Sequence, residues 1–201
     1  MRTSPALLAF ALALVACRQP DPPPITKPWT DTFDRRTLGG DYLATADVYT
    51  IPDGKLRVSG AYNHPLWLRK KLPVNAVIEF DCGSASPDGD LKVEVWGDGR
   101  SFDPDKGSYQ SSAYVLIFGG WRNSRSIIAR MDEHAPNVPA RTQPRVEPGR
   151  TYHWKIVRNG GRLDWYVDDM SAPFLSYDDP TPLKGPGHEY LAVNDWETAV
   201  W

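Results

Sequence analysis

YHWKIVRNGGRLDWYVDD, running from Tyr152 to Asp169, reads as two strands folded on one turn. In HWKIVR and RLDWYV large apolar residues alternate with polar ones, the period of a strand with one buried face. Asn159-Gly160-Gly161 separates the two runs, and paired glycines supply the positive φ that a tight hairpin needs. An aromatic-rich hairpin of this kind predicts antiparallel sheet.

Outward from this hairpin, runs of the same period recur about every ten residues with turn chemistry between them. They are Tyr49–Ile51 and Lys55–Ser59, hinged on Asp53-Gly54, then Leu66–Arg69, Ala76–Cys82, Leu91–Trp96, Ala113–Phe118 and Ser126–Met131. Beyond them come Phe174–Tyr177, Tyr190–Val193 and Ala199–Trp201. No window carries a sustained helical stripe and there is no internal repeat, so the pattern predicts an all-β antiparallel sandwich or barrel. Eight Trp and nineteen Pro agree with short strands, long turns and almost no helix beyond a leader segment.

The order of "DTFDR…GG", "IPDGKLRVSG", "VIEFD", "YVLIFGGW", "YHWKIVRNGGRLDWYVDD" and "NDW" resembles concanavalin A-like lectin/glucanase sandwiches over residues 29–201. Within that group it is similar to laminin-G-like modules and to bacterial 3-keto-disaccharide hydrolase or family 16-like domains. The resemblance implies a two-sheet jelly roll whose concave face handles carbohydrate. It also implies two function classes, a glycan-binding recognition module and a glycan-active hydrolase.

The amino end adds an address. Arg2 precedes the apolar run Ala6–Ala16, too short to span a bilayer but long enough for a signal-peptide core. Leu14-Val15-Ala16-Cys17 resembles a bacterial lipoprotein box, which implies removal of residues 1–16 and acylation of Cys17. Two or more acyl chains make a stable membrane anchor. Arg18 to Pro28 is proline-dense and reads as an extended tether. By resemblance to enteric sorting rules, Arg18 in place of Asp points to the outer membrane of the cell envelope. With Cys17 acylated, Cys82 is the remaining thiol, read as buried and inert. The formal net charge is −2 and there is no basic block, which argues against nucleic acid as a partner and leaves a glycan or polysaccharide as the expected one. Nothing in the pattern sets an oligomeric state.

The chemistry-bearing residues fall in three regions. In Ala76–Cys82, Ile78, Phe80 and Cys82 share one face and Glu79 and Asp81 the other. In Leu91–Trp96, Leu91, Val93 and Val95 oppose Lys92, Glu94 and Trp96. If Gly83–Asp90 is a hairpin loop, the two strands pair so that Glu79 lies across from Glu94 and Asp81 from Lys92, or Glu79 from Lys92. Arg130 and Arg69 are the cations available to such carboxylates. Family 16 glucanases alternate three acids on one strand; here Glu79-Phe80-Asp81 is followed by Cys82-Gly83-Ser84, so the third acid is missing. Glu79, Glu94, Glu133 and His134 are therefore the acid/base candidates of the hydrolase reading.

Trp96, Trp121, Asn123, Arg130, His188 and Trp196 are the ligand-binding candidates. Indole faces stack on the C–H surface of a pyranose, while amide and charged groups bond its hydroxyls. Each has a bland counterpart: Trp121, His188 and Trp196 as packing, Glu133-His134 as a surface ion pair. No cofactor is expected. Asp98, Asp103 and Asp105 are candidate calcium ligands, although their spacing does not match an EF-hand loop. The four His are scattered without zinc spacing, and no phosphate loop or nucleophile elbow is present.

Overall fold

The computed structural model describes residues 21–102 and 109–196 in full and residues 198–200 as backbone. Cys17 and the leader, with Asp103 and Asp105, lie outside the described residues. The strands are β1 (Tyr42–Ala44), β2 (Tyr49–Thr50), β3 (Arg57–Ser59), β4 (Leu66–Leu68), β5 (Ala76–Ser84), β6 (Leu91–Gly97) and β7 (Gln110–Gly119). After them come β8 (Arg125–Asp132), β9 (Ala140–Arg141), β10 (Tyr152–Asn159), β11 (Arg162–Val167), β12 (Leu175–Asp178), β13 (Tyr190–Asp195) and β14 (Thr198–Val200).

They form two antiparallel sheets of seven strands, in the orders β1-β4-β13-β6-β7-β8-β9 and β12-β11-β10-β5-β14-β3-β2. The sandwich is one of the two architectures the alternation predicts and the one the resemblance implies. The hairpin that decides the fold pairs Asn159 with Arg162 across Gly160-Gly161, with Gly160 at φ 61°. A Cβ on Gly161 would meet the Asp179 carbonyl oxygen, so glycine is needed there for space as well. Short strands β1 and β9 were not foreseen.

One expectation is overturned. β5 and β6 do not pair. β5 lies between β10 and β14 in one sheet, and β6 between β13 and β7 in the other. Residues Ala85–Asp90 therefore cross between layers, and neither expected register exists, whether Glu79 across from Glu94 with Asp81 across from Lys92, or Glu79 across from Lys92. The physical reason is that period-two patterning fixes which face is buried, but not whether two strands lie side by side or face to face. Here Ile78, Phe80 and Cys82 point inward from one sheet, and Leu91, Val93 and Val95 point inward from the other.

Between the layers Trp154, Trp165, Phe118 and Phe174 make the aromatic centre of the core. Their ring centroids are 4.5 Å apart for Trp154–Trp165 and 5.0 Å for Trp165–Phe174. The proline-dense segment is docked where it is described. Ile25 N–H donates to the Lys71 carbonyl (2.8 Å), and Lys71 N–H donates to that of Pro23 (3.0 Å). Because β14 pairs with β5 only at Ser84 and Gly83, an apolar cavity of about 1260 Å³ opens beside the inner side of β5.

Candidate functional site

Every residue of β6 is buried, because both its faces are covered. Leu91, Val93 and Val95 pack in the core, so alternation sends Lys92 and Glu94 to the outer face of the β4–β13–β6–β7–β8 sheet. There they sit under loops rather than in water, 2% and 0% exposed. A buried charge is tolerable only when paired and hydrogen-bonded, and these are. Lys92 Nζ lies 3.0 Å from Glu133 Oε2, donates to Asn63 Oδ1 (2.6 Å) and sits over the Tyr109 ring. Glu94 accepts from Tyr109 OH (2.7 Å), Asn194 Nδ2 (2.9 Å) and the Ser111 hydroxyl.

Burial pushes the Glu94 carboxyl above its ordinary pKa, against the hydrogen bonds from Ser111, Tyr109 and Asn194 and the attraction of Lys92. Burial would lower Lys92, but Asp90, Glu133 and Glu94 outweigh it and raise the ammonium pKa. The centre of this face is thus a closed polar network with Lys92 held as a cation.

Open groups surround it at one end. Leu91 pairs with Phe118 on one side and Asp195 on the other. That register brings the turn after β7, the turn after β13 and the start of β6 to the same rim of the sheet. The β8–β9 loop folds back over the face, with Val138 against Val115, Ile117, Ile127 and Ala129. A continuous line of contacts then crosses the rim. Trp196 meets Tyr62 edge to face (5.1 Å, 82°), and Tyr62 is followed by Asn63, which holds Lys92. Lys92 pairs with Glu133, Glu133 lies 3.5 Å from His134 Nε2, and His134 meets Trp121 edge to face (5.5 Å, 89°). The two ends are open: Tyr62 is 54% exposed, Trp196 46% and Trp121 37%. From β13 to β8 is three strand spacings, roughly 14 Å.

The backbone at both ends is unusual. Tyr62 and Asn63 have φ of 47° and 67°, and Trp121, Arg122 and Asn123 have 52°, 56° and 58° after Gly119 at 72°. Left-handed residues in succession cost roughly 1–2 kcal/mol each, so the surroundings must hold them. Asn123 does so with its buried amide. Nδ2 donates to the carbonyls of Val146 (2.7 Å) and Pro87 (3.1 Å), and Oδ1 accepts from Val146 N–H (2.8 Å). Stored strain of this kind marks positions where side-chain placement matters.

Of the residues singled out in the sequence, Trp121, Trp196, Glu133 and His134 meet along this rim. Asn123 shapes it from behind, and Glu94 lies beneath it. The others lie elsewhere. Trp96 is the extra residue of a bulge where the pairing steps from Tyr190–Gly97 to Leu191–Val95. Its φ of 59° turns the indole into the core, where Nε1 donates to the Pro73 carbonyl (3.0 Å) and Arg158 stacks on the ring (4.7 Å). Arg130 ties the layers instead, its Nε donating to Asp179 (3.1 Å).

His188 Nδ1 donates to the Ser112 carbonyl (2.9 Å), at the far end of the sheet. Glu79 is exposed on the other sheet, opposite Lys155, and Asp81 bonds His153 (2.7 Å). Asp98 caps its own loop, accepting from the N–H groups of Arg100 and Ser101. No group of three or more metal-ligating side chains gathers among the described residues. Sequence reasoning missed Tyr62, Asn63 and Tyr109. The turn-forming Gly60–His64 stretch could have marked the first two, but only the pairing shows that they adjoin Trp196.

A family profile described as Farnesoic acid 0-methyl transferase matches residues 100–201. Among solved structures, the chain is similar to the carbohydrate binding module CBM66 from Bacillus subtilis, at TM-score 0.56 and 15% identity, covering 80% of this chain and 91% of that one. It is also similar to the Bacillus licheniformis β-glucanase, at 0.56 and 10%, covering 85% and 92%. A Bacillus subtilis protein of unknown function with a galectin-like fold matches at 0.56 and 13%, covering 85% and 90%. These likenesses establish the jelly-roll fold. No curated protein matches the chain.

Proposed function

Since the chain belongs to the family described as Farnesoic acid 0-methyl transferase and folds as a jelly roll, we propose that it is a glycan-recognition domain binding across the Trp196–Tyr62 to Trp121–His134 rim. The observation that carries this reading is the pair of exposed aromatic groups joined by one uninterrupted line of polar contacts. Aromatic faces offer platforms to pyranose rings, and exposed His134, with Asn63 and Glu133 held beneath it by Lys92, supplies a hydrogen-bonding group between them. The rim is rigid, because strained turns and the buried ion pair set it before any ligand arrives, which lowers the ordering cost of binding.

The family's description names a methyl transfer. An activated nucleoside donor calls for a glycine loop leading from a strand to a helix amino end. The described residues hold no such unit: Gly119-Gly120 opens a left-handed turn, not a helix. The described residues do not fit that donor.

The hydrolase reading needs a carboxyl group open to the groove. Glu94 is sealed, Glu133 is bound to Lys92, and Glu79 lies on the other sheet. Recognition is therefore the better reading. With the acylated Cys17 expected from the leader, the domain would work as a bacterial envelope lipoprotein presenting this rim.

The test is a glycan array followed by calorimetry on the leaderless protein. Trp121→Ala and Trp196→Ala should each weaken binding about tenfold or more with unchanged thermal unfolding. Absence of any binder on the array, or affinity unchanged from the parent protein in both variants, would overturn the proposal.

A further inference from the structure

Beside Trp121 lies a second feature that the rim does not use. A cleft of about 440 Å³ is lined by Arg125, Ala140, Arg141, Thr142 and Gln143. Arg125 stacks its guanidinium over the Trp121 ring (5.8 Å), and Arg141 stacks over Phe174 (5.4 Å). Arg122 and Arg145 are the sequence neighbours of Asn123 and Val146, which clasp one another nearby. All four have no ion pair and no side-chain hydrogen bond among the described residues, and Arg122, Arg141 and Arg145 are exposed.

The neighbouring acids are turned elsewhere. Glu133 is held by Lys92 and Glu147 by Arg150, while Asp90 sits against Gly120 behind the turn. A chain of net charge −2 thus places two uncompensated cations on one cleft.

The chemistry of the ligand follows from how these groups are held. Stacking fixes the plane of a guanidinium while leaving its N–H edge free, and that edge matches a carboxylate in bidentate fashion. Thr142 and Gln143 add a hydroxyl and an amide at the same mouth. Trp121 does not line this cleft but carries Arg125 stacked on its ring, so a saccharide held at that end of the rim would place its ring substituents near Arg125. We propose that the Arg125–Arg141 cleft binds the carboxylate of an acidic saccharide, so that the glycan preferred by this domain contains uronate units. The inference rests on the rim reading and extends it to the charge of the ligand.

The experiment measures binding of the leaderless protein to uronate oligosaccharides, the same oligosaccharides methyl-esterified, neutral oligosaccharides and a sulfated dextran oligomer, which carries no carboxylate. The protein should bind a uronate oligomer more tightly than its ester, with affinity that falls as salt rises. Arg125→Ala with Arg141→Ala should remove that preference, weakening uronate binding roughly tenfold or more. Neutral binding should stay in Arg141→Ala alone, because Arg141 stacks on Phe174 and on no ring of the rim.

Equal affinity for acid and ester, or a double variant that keeps the preference, would overturn the cleft while leaving the rim standing. Preference for the sulfated oligomer over every uronate would overturn the carboxylate assignment. Loss of neutral binding in Trp196→Ala reports on the rim alone, and unchanged thermal unfolding of the double variant excludes misfolding as the cause.

Discussion

Asp31 shows how one side chain anchors the amino-terminal segment. Its two oxygens accept from Arg35 Nη1 and Nη2 (2.6 and 2.7 Å), from Tyr42 OH (2.7 Å) and from Phe33 N–H (2.9 Å). The Arg35 pair, with the other donors and against the effect of burial, lowers its pKa from 3.8 to about 2. A carboxylate depressed in the folded state adds stability above its unfolded pKa, and that stability is lost as pH falls toward the folded one. Asp31→Asn should therefore cost about 1–2 kcal/mol near neutrality. The deficit should shrink between pH 4 and pH 2, the window set by those two pKa values. Urea denaturation of both proteins across that range checks it, and a constant difference would contradict it.

β6 makes the corresponding point for an element. The bulge at Trp96 lets one strand serve two environments, with Lys92 and Glu94 outward under the loops and Trp96 inward against Arg158. Gly97 follows because nothing larger fits. A Cβ there would lie 2.5 Å from the Trp67 ring and 2.9 Å from Ala113 Cβ. Gly97→Ala should destabilise the fold by about 1–3 kcal/mol, the usual cost of overpacking. Gly149→Ala offers an internal contrast, because it has open space but φ of 78°, so its cost comes from the backbone alone. Thermal melts of the two variants separate steric from conformational cost. A Gly97→Ala protein as stable as the parent would show that Trp67 can move aside and that the bulge is not fixed by packing.

For the whole molecule, the two layers are joined by polar ties at one edge as well as by the core. Tyr114 OH donates to Asp179 Oδ2 (2.7 Å), Arg130 Nε meets the same oxygen (3.1 Å), and buried Arg158 donates to the Leu183 carbonyl (2.5 Å). Burial depresses the Arg158 pKa while Tyr114 and Asp179 oppose that shift. This clasp holds Arg130 through Nε and Nη2, and Lys92 is buried, so the corner arginines are the cations open beside the rim. The proposed envelope address belongs to this scale too. Mass spectrometry of the mature protein should find an amino terminus at residue 17 carrying acyl chains. An unmodified Cys17, or cleavage elsewhere, would remove the anchor but not the rim.

The sequence by itself determined most of the strands, though not β1 and β9, the inward faces of β5 and of β6 up to Val95, and the Gly160-Gly161 hairpin. Those depend on local alternation and turn chemistry, which nearest neighbours decide. It also marked Trp121, Trp196, Glu133 and His134 as residues with chemistry to offer. Only the tertiary structure decided that β5 and β6 face one another instead of pairing, because alternation is identical in both arrangements. The placement of Trp96 depended on a bulge with a left-handed backbone, which no periodic pattern encodes. The burial of Lys92 and Glu94 depended on loops from distant parts of the chain folding back over a face that alternation alone assigns to solvent. For the same reason Tyr62 and Arg141 could not be joined to Trp196 and Trp121 until pairing brought their turns to one rim and corner.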